Sequence, residues 1–514
     1  MSNLRVRFAP SPTGALHIGG VRTALYNYLL ARKEGGTFIL RIEDTDQVRY
    51  VEGAEDYVID ALHWLGIAPD EGPRAGGDYG PYRQSERKGT YGEYVQRLID
   101  SGHAYYAFDS HEELEQMRTR LERQGVQRAK YDATTRMDMR NSLSLSEADV
   151  KELLDSNASY TVRLKVIPGE TISFVDEIRD KVSFSSNELD DKILLKTDGM
   201  PTYHMANIVD DYLMKISHVI RGEEWLSSTP HHILLYRALG LEDHIPKFAH
   251  LPLLLKPVGK GKLSKRDGAK FGFPVFPMEW NNPDGEVYEG FKEAGFLPDA
   301  IINFLAFLGW NPGTEQEIFT SEGLAQAFSL KQVSKGGARF DFDKAKWYNQ
   351  QYIIHRSDKE LAELIAPDVS KAGIVVTGGY LEKFCGLMKE RVVTLNDFLI
   401  AGSFFFAKPD EFDQKTIRKK FKLENEVHFQ NMITGIEGLE EYNTEAIEKV
   451  VKGYIEQNEL GFGAILPILR IGVSGTMKGP DLFSTMELIG KEEVLERLRT
   501  NLELFKKIKQ ENQV

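Results

Sequence analysis

The chain has 514 residues, of which 41% are hydrophobic and 27% charged, and its formal net charge is −13. This length predicts two to four domains, and the composition is typical of a globular protein. No run of about 18 uncharged apolar residues occurs, which argues against a membrane span. The acidic balance argues against indiscriminate coating of nucleic acid, although a specific RNA partner needs only local basic surface.

The cysteine content excludes two further kinds of site. Cys385 is the only cysteine, which excludes an internal disulfide and a multi-cysteine zinc site. The first residues, MSNLRVRFAP, lack the long apolar core of a signal peptide. We therefore expect a cytoplasmic protein.

The first 45 residues predict a strand, a helix and a second strand. Leu4, Val6 and Phe8 alternate with arginines, as in a strand, and a loop rich in Pro, Ser and Gly follows. Apolar residues then recur at helical spacing, namely Val21, Ala24, Leu25, Tyr28 and Leu29. A glycine pair ends the helix, and residues 37–42 predict the second strand. In such a βαβ unit the ligand lies beyond the carboxyl ends of the strands.

Along the rest of the chain the predicted secondary structure changes twice. Residues from about 112 to 155 are highly charged with helical spacing, which predicts a helical insertion. Strand-like segments return at 160–166 and 192–196, and 200–255 resumes an α/β pattern. From about residue 330 amphipathic helical segments dominate, which predicts an all-helical C-terminal half.

The segment FAPSPTGALHIGG, residues 8–20, places small residues, a hydroxyl and the imidazole of His17 where a strand turns into a helix. Glycines allow a nucleotide to approach the backbone closely, and a helix N-terminus offers free N–H groups to phosphate. Taken alone, a histidine at a helix start is more often a cap or core group.

The segment KPVGKGKLSKRDGAK, residues 256–270, carries six basic residues and one acid. Its glycines predict a mobile loop. An arbitrary lysine cluster is more often a solvated surface loop, but a flexible cationic loop also suits a reaction in which pyrophosphate gathers negative charge as it leaves.

Together the two segments resemble the "HIGH" and "KMSKS" signatures of class I aminoacyl-tRNA synthetases, and lie about 240 residues apart. The FAPSPTGALHIGG form is similar to the bacterial glutamate subgroup, in which Gly20 replaces the last histidine. Further phrases of the subgroup, GPYRQSER, EEWLSSTPHH and GPDLF, follow in order, so the resemblance covers essentially the whole chain.

The resemblance implies a fold and an activity. We expect a Rossmann-like α/β catalytic domain with an inserted acceptor-binding domain, followed by an all-α anticodon-binding half. The expected boundaries are 1–110 and 196–330 for the catalytic domain, 111–195 for the insertion and 331–514 for the anticodon-binding region. The expected reaction joins L-glutamate to the 3′-terminal adenosine of tRNA(Glu) through glutamyl-adenylate. ATP enters with Mg²⁺, and we expect a monomer with no membrane partner.

The family's site residues carry over by motif position. His17 and Lys265 are the expected catalytic residues. The expected ATP contacts are Thr13, Gly14, His17, Gly19, Glu224, Lys262, Ser264, Lys265 and Arg266. The expected glutamate contacts are Arg7, Ala9, Ser11, Glu43, Tyr203, Asn207 and Arg221. Arginine forks suit the two carboxylates of glutamate, and an acid suits its ammonium group.

Two features stand apart from the family pattern. Some members hold zinc through a Cys-x-Cys stretch in the insertion, but the corresponding residues here are Tyr105 to Phe108. We therefore expect no structural zinc. The aromatic-rich segment 271–290 has no expected function.

Several rival functions share part of this pattern. A glutaminyl-tRNA synthetase shares both motifs, but the FAPSPTG form and the helical C-terminal half argue against it. A shortened paralogue that glutamylates a tRNA base, or a small nucleotidyltransferase, would lack the residues after about 330. The absence of GxxxxGK[ST] and GxGxxG disfavours a P-loop ATPase and a Rossmann dehydrogenase. Whether tRNA(Gln) is also charged stays open. Arg391 and the basic run 418–422 are candidate RNA contacts, and the run equally fits a solvated helix face.

Overall fold

The computed structural model describes residues 4–127 and 129–510. Residues 1–3 of the N-terminal segment and 511–514 of the expected C-terminal region lie outside these ranges. The chain divides into two compact units. The first contains the described chain up to Phe291 together with Ile301–Phe342, and the second contains Lys292–Ala300 and the described chain from Asp343 onward.

The described strands are short, and all of them belong to the first unit. They are β1 Arg5–Phe8, β2 Thr37–Leu40, β3 Ala104–Ala107, β4 Thr161–Leu164, β5 Thr171–Asp176, β6 Asp180–Ser185, β7 Ile193–Leu195, β8 His218–Gly222, β9 Lys247–Leu251, β10 Leu254–Leu255, β11 Trp280–Asn281, β12 Val287–Tyr288 and β13 Ala338–Arg339.

Helices dominate the rest of the chain. The first ten are α1 Ile18–Glu34, α2 Ala54–Trp64, α3 Lys88–Asp100, α4 His111–Arg123, α5 Glu147–Asp155, α6 Tyr203–Leu213, α7 Thr229–Ala238, α8 Lys265–Phe271, α9 Pro298–Phe307 and α10 Ser321–Ala327. The others are α11 Phe342–His355, α12 Asp358–Lys371, α13 Tyr380–Met388, α14 Asn396–Ala401, α15 Gln414–Lys420, α16 Glu426–Glu437, α17 Thr444–Gln457, α18 Phe462–Ser474, α19 Leu482–Ile489 and α20 Lys491–Gln510.

A six-stranded sheet in the order β2-β1-β8-β9-β5-β6 organises the first unit. The first five strands of that order run parallel, and β6 closes the edge antiparallel to β5. Strand β1 pairs in register with β2, from Arg5 opposite Thr37 to Phe8 opposite Leu40. All carboxyl ends of the parallel strands therefore open on one edge, where open α/β sheets bind their ligands.

The predicted βαβ unit is confirmed as β1, α1 and β2. Helix α1 begins after His17 and ends at Gly35, whose φ of 62° is left-handed and suits glycine. The expectation of one apolar face was too narrow, because Arg22, Tyr26 and Leu30 are buried as well. Helix α1 contacts both the sheet and α10, so it is covered on more than one side.

The stretch 111–195 contributes to two sheets. Strand β4 pairs antiparallel with β3 and β7 in a small sheet, which confirms the strand-like segments at 160–166 and 192–196. Strands β5 and β6, from the same stretch, join the six-stranded sheet instead. The charged segment predicted as helical contains α4 and α5, separated by turns and one short 3-10 helix at Arg136–Asp138.

The second unit is helical throughout its described part, as the sequence predicts. Its apolar residues form two clusters, one around Phe384 and Phe398 and one around Met432, Ile468 and Phe505. Across the described residues, helices that combine the length and the apolarity needed to cross a membrane are absent.

Candidate active site

A cleft of about 680 Å³ opens at the carboxyl edge of the main sheet. It lies beyond β1, β2, β8 and β9 and is bordered by the start of α1 and the lysine-rich segment. Of the site residues expected from sequence, all line this cleft except Gly14 and Arg266. The geometry thus brings together residues that are more than 200 positions apart in the chain.

His17 caps α1 and keeps one nitrogen free. Its Nδ1 accepts the N–H of Gly19 at 3.0 Å. Burial, then the positive charges of Lys265 and Lys262, lower the pKa of His17 to about 4, although the Ser264 main chain slightly opposes this. The imidazole is therefore neutral near pH 7, and the proton must sit on Nε2. Nε2 approaches the Ser264 main chain but makes no well-formed hydrogen bond with any described residue, so its N–H is available to an acceptor in the cleft.

Gly14 brings the first loop against the ammonium group of Lys265. Its φ is 122°, a backbone conformation that favours glycine. A Cβ atom at Gly14 would lie 3.4 Å from Lys265 Nζ. Gly14 therefore borders the same space as Lys265, although it does not line the cleft.

The lysine-rich segment is more ordered than a free loop. The backbone N–H of Lys256 donates to Gly261 O at 3.1 Å, which closes a turn. Ser264 then caps α8, where its hydroxyl donates to Asp267 Oδ2 at 2.6 Å. Lys265 is thus the first residue of a short helix, and the prediction of a glycine-rich loop over the whole segment was wrong for residues 265–270.

The lysines of this segment differ in their partners. Lys256 pairs with Asp267 at 3.0 Å, and Lys262 pairs with Glu224 at 2.7 Å. Lys265 makes no ion pair with any described residue, and partial burial lowers its pKa. An unpaired ammonium group beside the N–H of His17 is suited to binding phosphate oxygens.

A buried network of two arginines and two carboxylates borders the cleft through Arg7 and Glu43. Arg7 holds Asp211 with two bonds, Nε to Oδ1 at 3.1 Å and Nη2 to Oδ2 at 3.3 Å. Arg41 bridges Asp211 and Glu43, at 2.7 Å and 2.9 Å. The charges of these four residues balance, which is how buried ions are normally stabilised.

Glu43 keeps one oxygen unused. Its Oε1 accepts from Arg41 Nη2 and from Asn207 Nδ2 at 3.0 Å. No described residue donates to Oε2. Burial raises the pKa of Glu43, and the charges of Arg41 and Arg7 oppose that rise. A cation bound at Oε2 would further favour the carboxylate form.

Arg221 differs from the arginines of that network because its partners are all neutral. It donates to Tyr203 Oη and Thr229 Oγ1, both at 2.9 Å, and to His250 Nε2 at 3.1 Å. Trp225 O accepts a longer bond of 3.3 Å. Arg221 is 5% exposed, and no carboxylate of the described chain pairs with it. A buried guanidinium without a counter-ion indicates a binding site for an anionic ligand.

Sequence reasoning missed several residues of the site. Thr45, Asp46 and Arg49 line the cleft just after Glu43. The partners Arg41 and Asp211 were missed as well, although two adjacent acids in a helix, as in IVDD, are an unusual signal in a segment that becomes buried.

Comparison with known proteins agrees with this geometry. Residues 3–347 match the family described as class I tRNA synthetases (E and Q), catalytic domain, and residues 360–502 match an anticodon binding domain. The parallel sheet, the capped helix at His17 and the lysine segment across its carboxyl edge are those of a class I aminoacyl-tRNA synthetase.

Similar proteins of known identity show which member of this class the chain resembles. A glutamate–tRNA ligase of Parabacteroides distasonis is 51% identical over 98% of this chain and 99% of its own, and one of Amoebophilus asiaticus is 50% identical over 98% of both. The crystal structure of a glutamate tRNA ligase from Elizabethkingia meningosepticum in complex with its amino acid superposes with a TM-score of 0.94, at 47% identity over 98% of this chain and 99% of that one. The chain belongs to the glutamate–tRNA ligase family.

Proposed function

We propose that the cleft is where the enzyme activates glutamate with ATP. The chain is a glutamate–tRNA ligase, which uses ATP to attach glutamate to its tRNA. The site assignment rests on one observation: the guanidinium group of Arg221 is buried and its hydrogen-bond partners are all neutral. An amino acid with a second carboxylate supplies the missing counter-charge, whereas glutamine does not.

The polar groups of the cleft match the charges of glutamate. The side-chain carboxylate binds Arg221, together with the hydroxyl of Tyr203. The α-ammonium binds Oε2 of Glu43, which Asn207 and Arg41 hold in place through Oε1. Arg7 gives one edge to Asp211 and keeps Nη1 for a carboxylate oxygen of the substrate. Ala9 and Ser11 line the same part of the cleft.

ATP binds beside the first loop and the lysine-rich segment as its magnesium complex. Nε2–H of His17 and the ammonium group of Lys265 contact phosphate oxygens, and Gly14 and Gly19 allow the nucleotide to approach the backbone. Thr13, Glu224, Lys262, Ser264 and Arg266 complete the proposed ATP contacts. His17 acts as a hydrogen-bond donor and not as a base, because its proton stays on Nε2 at neutral pH.

The first reaction step is displacement at the α-phosphate. An oxygen of the glutamate α-carboxylate forms a bond to the α-phosphorus, and the bond from that phosphorus to the bridging oxygen breaks. Pyrophosphate leaves with the electron pair, and Lys265 and His17 stabilise its charge. No side chain needs to act as a nucleophile, so catalysis consists of positioning and charge stabilisation.

The second step transfers the glutamyl group to tRNA. The 2′-hydroxyl of the terminal adenosine attacks the carbonyl carbon of glutamyl-adenylate, and AMP leaves. Thr45 and Arg49, which line the cleft shortly after Glu43 in the chain, are placed to border the incoming 3′ end. As in its family, we expect the enzyme to need bound tRNA before it activates glutamate.

Further features of the proposal concern the whole chain. We propose that residues 111–195 contact the acceptor stem, that 331–514 bind the anticodon, and that the enzyme works as a cytoplasmic monomer of 58.3 kDa. We propose no structural zinc, because Tyr105 and its neighbours supply no thiolates and the phenol of Tyr105 instead donates to the buried Asp191 at 2.7 Å.

Aminoacylation with radiolabelled amino acids tests the substrate assignment. Purified enzyme, tRNA(Glu) and Mg-ATP should charge glutamate and leave glutamine uncharged when each is supplied at the same concentration. Efficient charging of free glutamine would show that the pocket is not built around a second carboxylate.

A further inference from the structure

A buried chain of hydrogen bonds leads away from the cleft behind Arg221. Arg221 Nε donates to Nε2 of His250 at 3.1 Å, and Nδ1 of His250 lies 2.6 Å from Oδ2 of Asp176. Asp176 is 1% exposed and His250 is fully buried. Neither Asp176 nor His250 lines the cleft, so neither is a candidate to touch substrate.

The sheet fixes the positions of these residues. Arg221 in β8 and His250 in β9 are direct partners in the parallel register. Asp176 ends β5, the strand on the other side of β9. The Asp176 carboxylate also accepts the backbone N–H groups of Ile178 at 3.0 Å and of His250 at 3.1 Å. It is therefore held by the main chain and cannot turn.

The carboxylate determines which nitrogen of His250 carries the proton. An ionised carboxylate can only accept, so Nδ1 of His250 must donate to it. Burial by itself raises the pKa of Asp176, but the hydrogen bond from His250 and those from the backbone N–H groups of Arg179 and Ile178 hold it below the usual value, so the group is ionised. Burial also lowers the pKa of His250, which favours the neutral ring. In that tautomer Nε2 has a lone pair, which is what Arg221 Nε–H requires.

The hydroxyl of Thr229 completes the arrangement. Thr229 Oγ1 lies 3.2 Å from His250 Nε2 and accepts from Arg221 Nη2. With Nε2 unprotonated, the hydroxyl of Thr229 shares the lone pair of His250 with Arg221 as a second hydrogen-bond donor, and its own oxygen accepts from Arg221. One choice of tautomer thus supplies two neutral acceptors for the guanidinium.

Neutral acceptors have an electrostatic consequence. A carboxylate directly on Arg221 would cancel its charge, as Asp211 does for Arg7. The imidazole places a ring between Arg221 and the carboxylate of Asp176, so the guanidinium is oriented by hydrogen bonds and its positive charge remains available to a ligand.

We infer that His250, fixed in one tautomer by Asp176, is a positioning residue that orients Arg221 without neutralising it, and that this pair contributes to the choice of glutamate over glutamine. The inference rests on the proposed role of Arg221. It adds Asp176 and His250, which lie behind the pocket, to the residues that determine substrate specificity.

Three variants test the inference in the full-length enzyme with tRNA present. Asp176→Asn keeps the shape of the side chain but replaces one acceptor oxygen with an NH₂ group, which must then face N–H donors. Where this group faces His250, it favours the tautomer that carries the proton on Nε2. His250→Leu removes the acceptor altogether. His250→Gln supplies a carbonyl oxygen that can still accept from Arg221.

The expected result is a selective loss of glutamate affinity. Asp176→Asn and His250→Leu should raise the KM for glutamate about 10- to 100-fold, the range for a hydrogen bond to a charged group. The KM for ATP should stay near that of the wild type, and the preference for glutamate over glutamine should fall. His250→Gln should restore most of the affinity. If His250→Leu does not fold, the comparison of Asp176→Asn with His250→Gln decides.

Two outcomes would overturn the inference. One is a wild-type KM for glutamate and unchanged selectivity in Asp176→Asn. The other is an equal rise in KM for glutamate and ATP with no rescue by His250→Gln, which would indicate a purely structural role. Either result, obtained while Arg221→Lys loses glutamate affinity, removes this inference alone. An Arg221→Lys variant with normal kinetics would instead remove the proposed function of Arg221.

Discussion

Arg7 and Arg221 line the same cleft, but a carboxylate balances the charge of Arg7 and no carboxylate of the described chain balances that of Arg221. Asp211 binds the guanidinium of Arg7 through both carboxylate oxygens, whereas Arg221 is surrounded by a phenol, a hydroxyl, two imidazoles and a carbonyl. Both side chains are at most 5% exposed. The two arginines that look alike in sequence therefore have different tasks: Arg221 supplies unbalanced charge, and Arg7 supplies geometry within a balanced network.

Lys265 is expected to stabilise the leaving pyrophosphate. Because its ammonium group lines the cleft and makes no ion pair with a described residue, Lys265→Ala should raise the barrier to glutamate activation by about 2–4 kcal/mol, as for loss of one transition-state donor. Pyrophosphate exchange in the presence of tRNA measures this barrier.

Lys260→Ala is the matched control for that variant, since Lys260 is an exposed lysine of the same segment and does not line the cleft. It should leave the exchange rate unchanged, and both variants should keep the wild-type Tm. A near-normal exchange rate in Lys265→Ala would refute the assignment.

The two roles of His17, as the cap of α1 and as a hydrogen-bond donor to phosphate, should be separable by mutation. His17→Asn keeps a side-chain acceptor for the N–H of Gly19, because asparagine is a good N-cap, but it lacks the Nε2 donor. The helix should form normally while the activation rate falls. A variant with wild-type activation kinetics would show that the free nitrogen has no catalytic use.

The same variant should change the acid stability in a defined direction. The pKa of His17 is about 4 in the folded chain, below the value of about 6.5 for an unfolded histidine. The unfolded chain binds more protons between these values, so the contribution to stability is fully present above about pH 6.5 and is lost as the pH falls toward 4. Relative to the wild type, His17→Asn should therefore gain about 3 kcal/mol of unfolding free energy across that window.

Thermal unfolding of both proteins at several pH values measures this difference. His111→Asn, at an exposed position, should follow the wild type. A pH-independent difference between His17→Asn and the wild type would contradict the buried, neutral state of His17.

Metal analysis tests the absence of zinc in the insertion. With a single cysteine, located at Cys385, we expect no stoichiometric zinc in the purified enzyme, and a zinc chelator should leave aminoacylation intact. A full equivalent of tightly bound zinc would contradict this expectation.

The buried Tyr105–Asp191 contact should stabilise the small sheet. Arg136 also donates to Asp191, at 3.1 Å, so the carboxylate has two side-chain partners. Tyr105→Phe removes one of them and should lower the unfolding free energy by about 1–3 kcal/mol. The exposed Tyr50 offers a control, since Tyr50→Phe should not change stability. Equal Tm values for Tyr105→Phe and the wild type would show that the contact contributes nothing.

Local patterns predicted the βαβ unit and the helical second unit because alternation and helical spacing are properties of neighbouring residues. Strands β1 and β2 and helix α1 lie where these patterns place them. Helix α8 was missed because its start depends on the Ser264–Asp267 cap, which sits in a segment rich in glycine and lysine. In the same way, β5 and β6 could not be assigned to the main sheet from sequence, since the pairing of β5 with β9 depends on the tertiary fold.

The cleft residues were predictable by motif, but their charge states were not. Asp211 lies 204 positions from Arg7, and no local pattern shows that it binds Arg7 and leaves Arg221 unpaired. The roles of Asp176 and His250 depend likewise on the order of three strands in the sheet. Long-range pairing of charges is therefore the part of the site that only the folded structure provides.

The most direct test of the central claim is the kinetics of Arg221→Lys with glutamate and glutamine. Lysine keeps the positive charge but loses the planar fork and its hydrogen bonds to Tyr203, Thr229 and His250. We predict that the KM for glutamate in tRNA-dependent pyrophosphate exchange rises about 10-fold or more, while the KM for ATP stays near the wild-type value. An Arg221→Lys enzyme with wild-type kcat/KM for glutamate, and with unchanged preference over glutamine, would contradict the account.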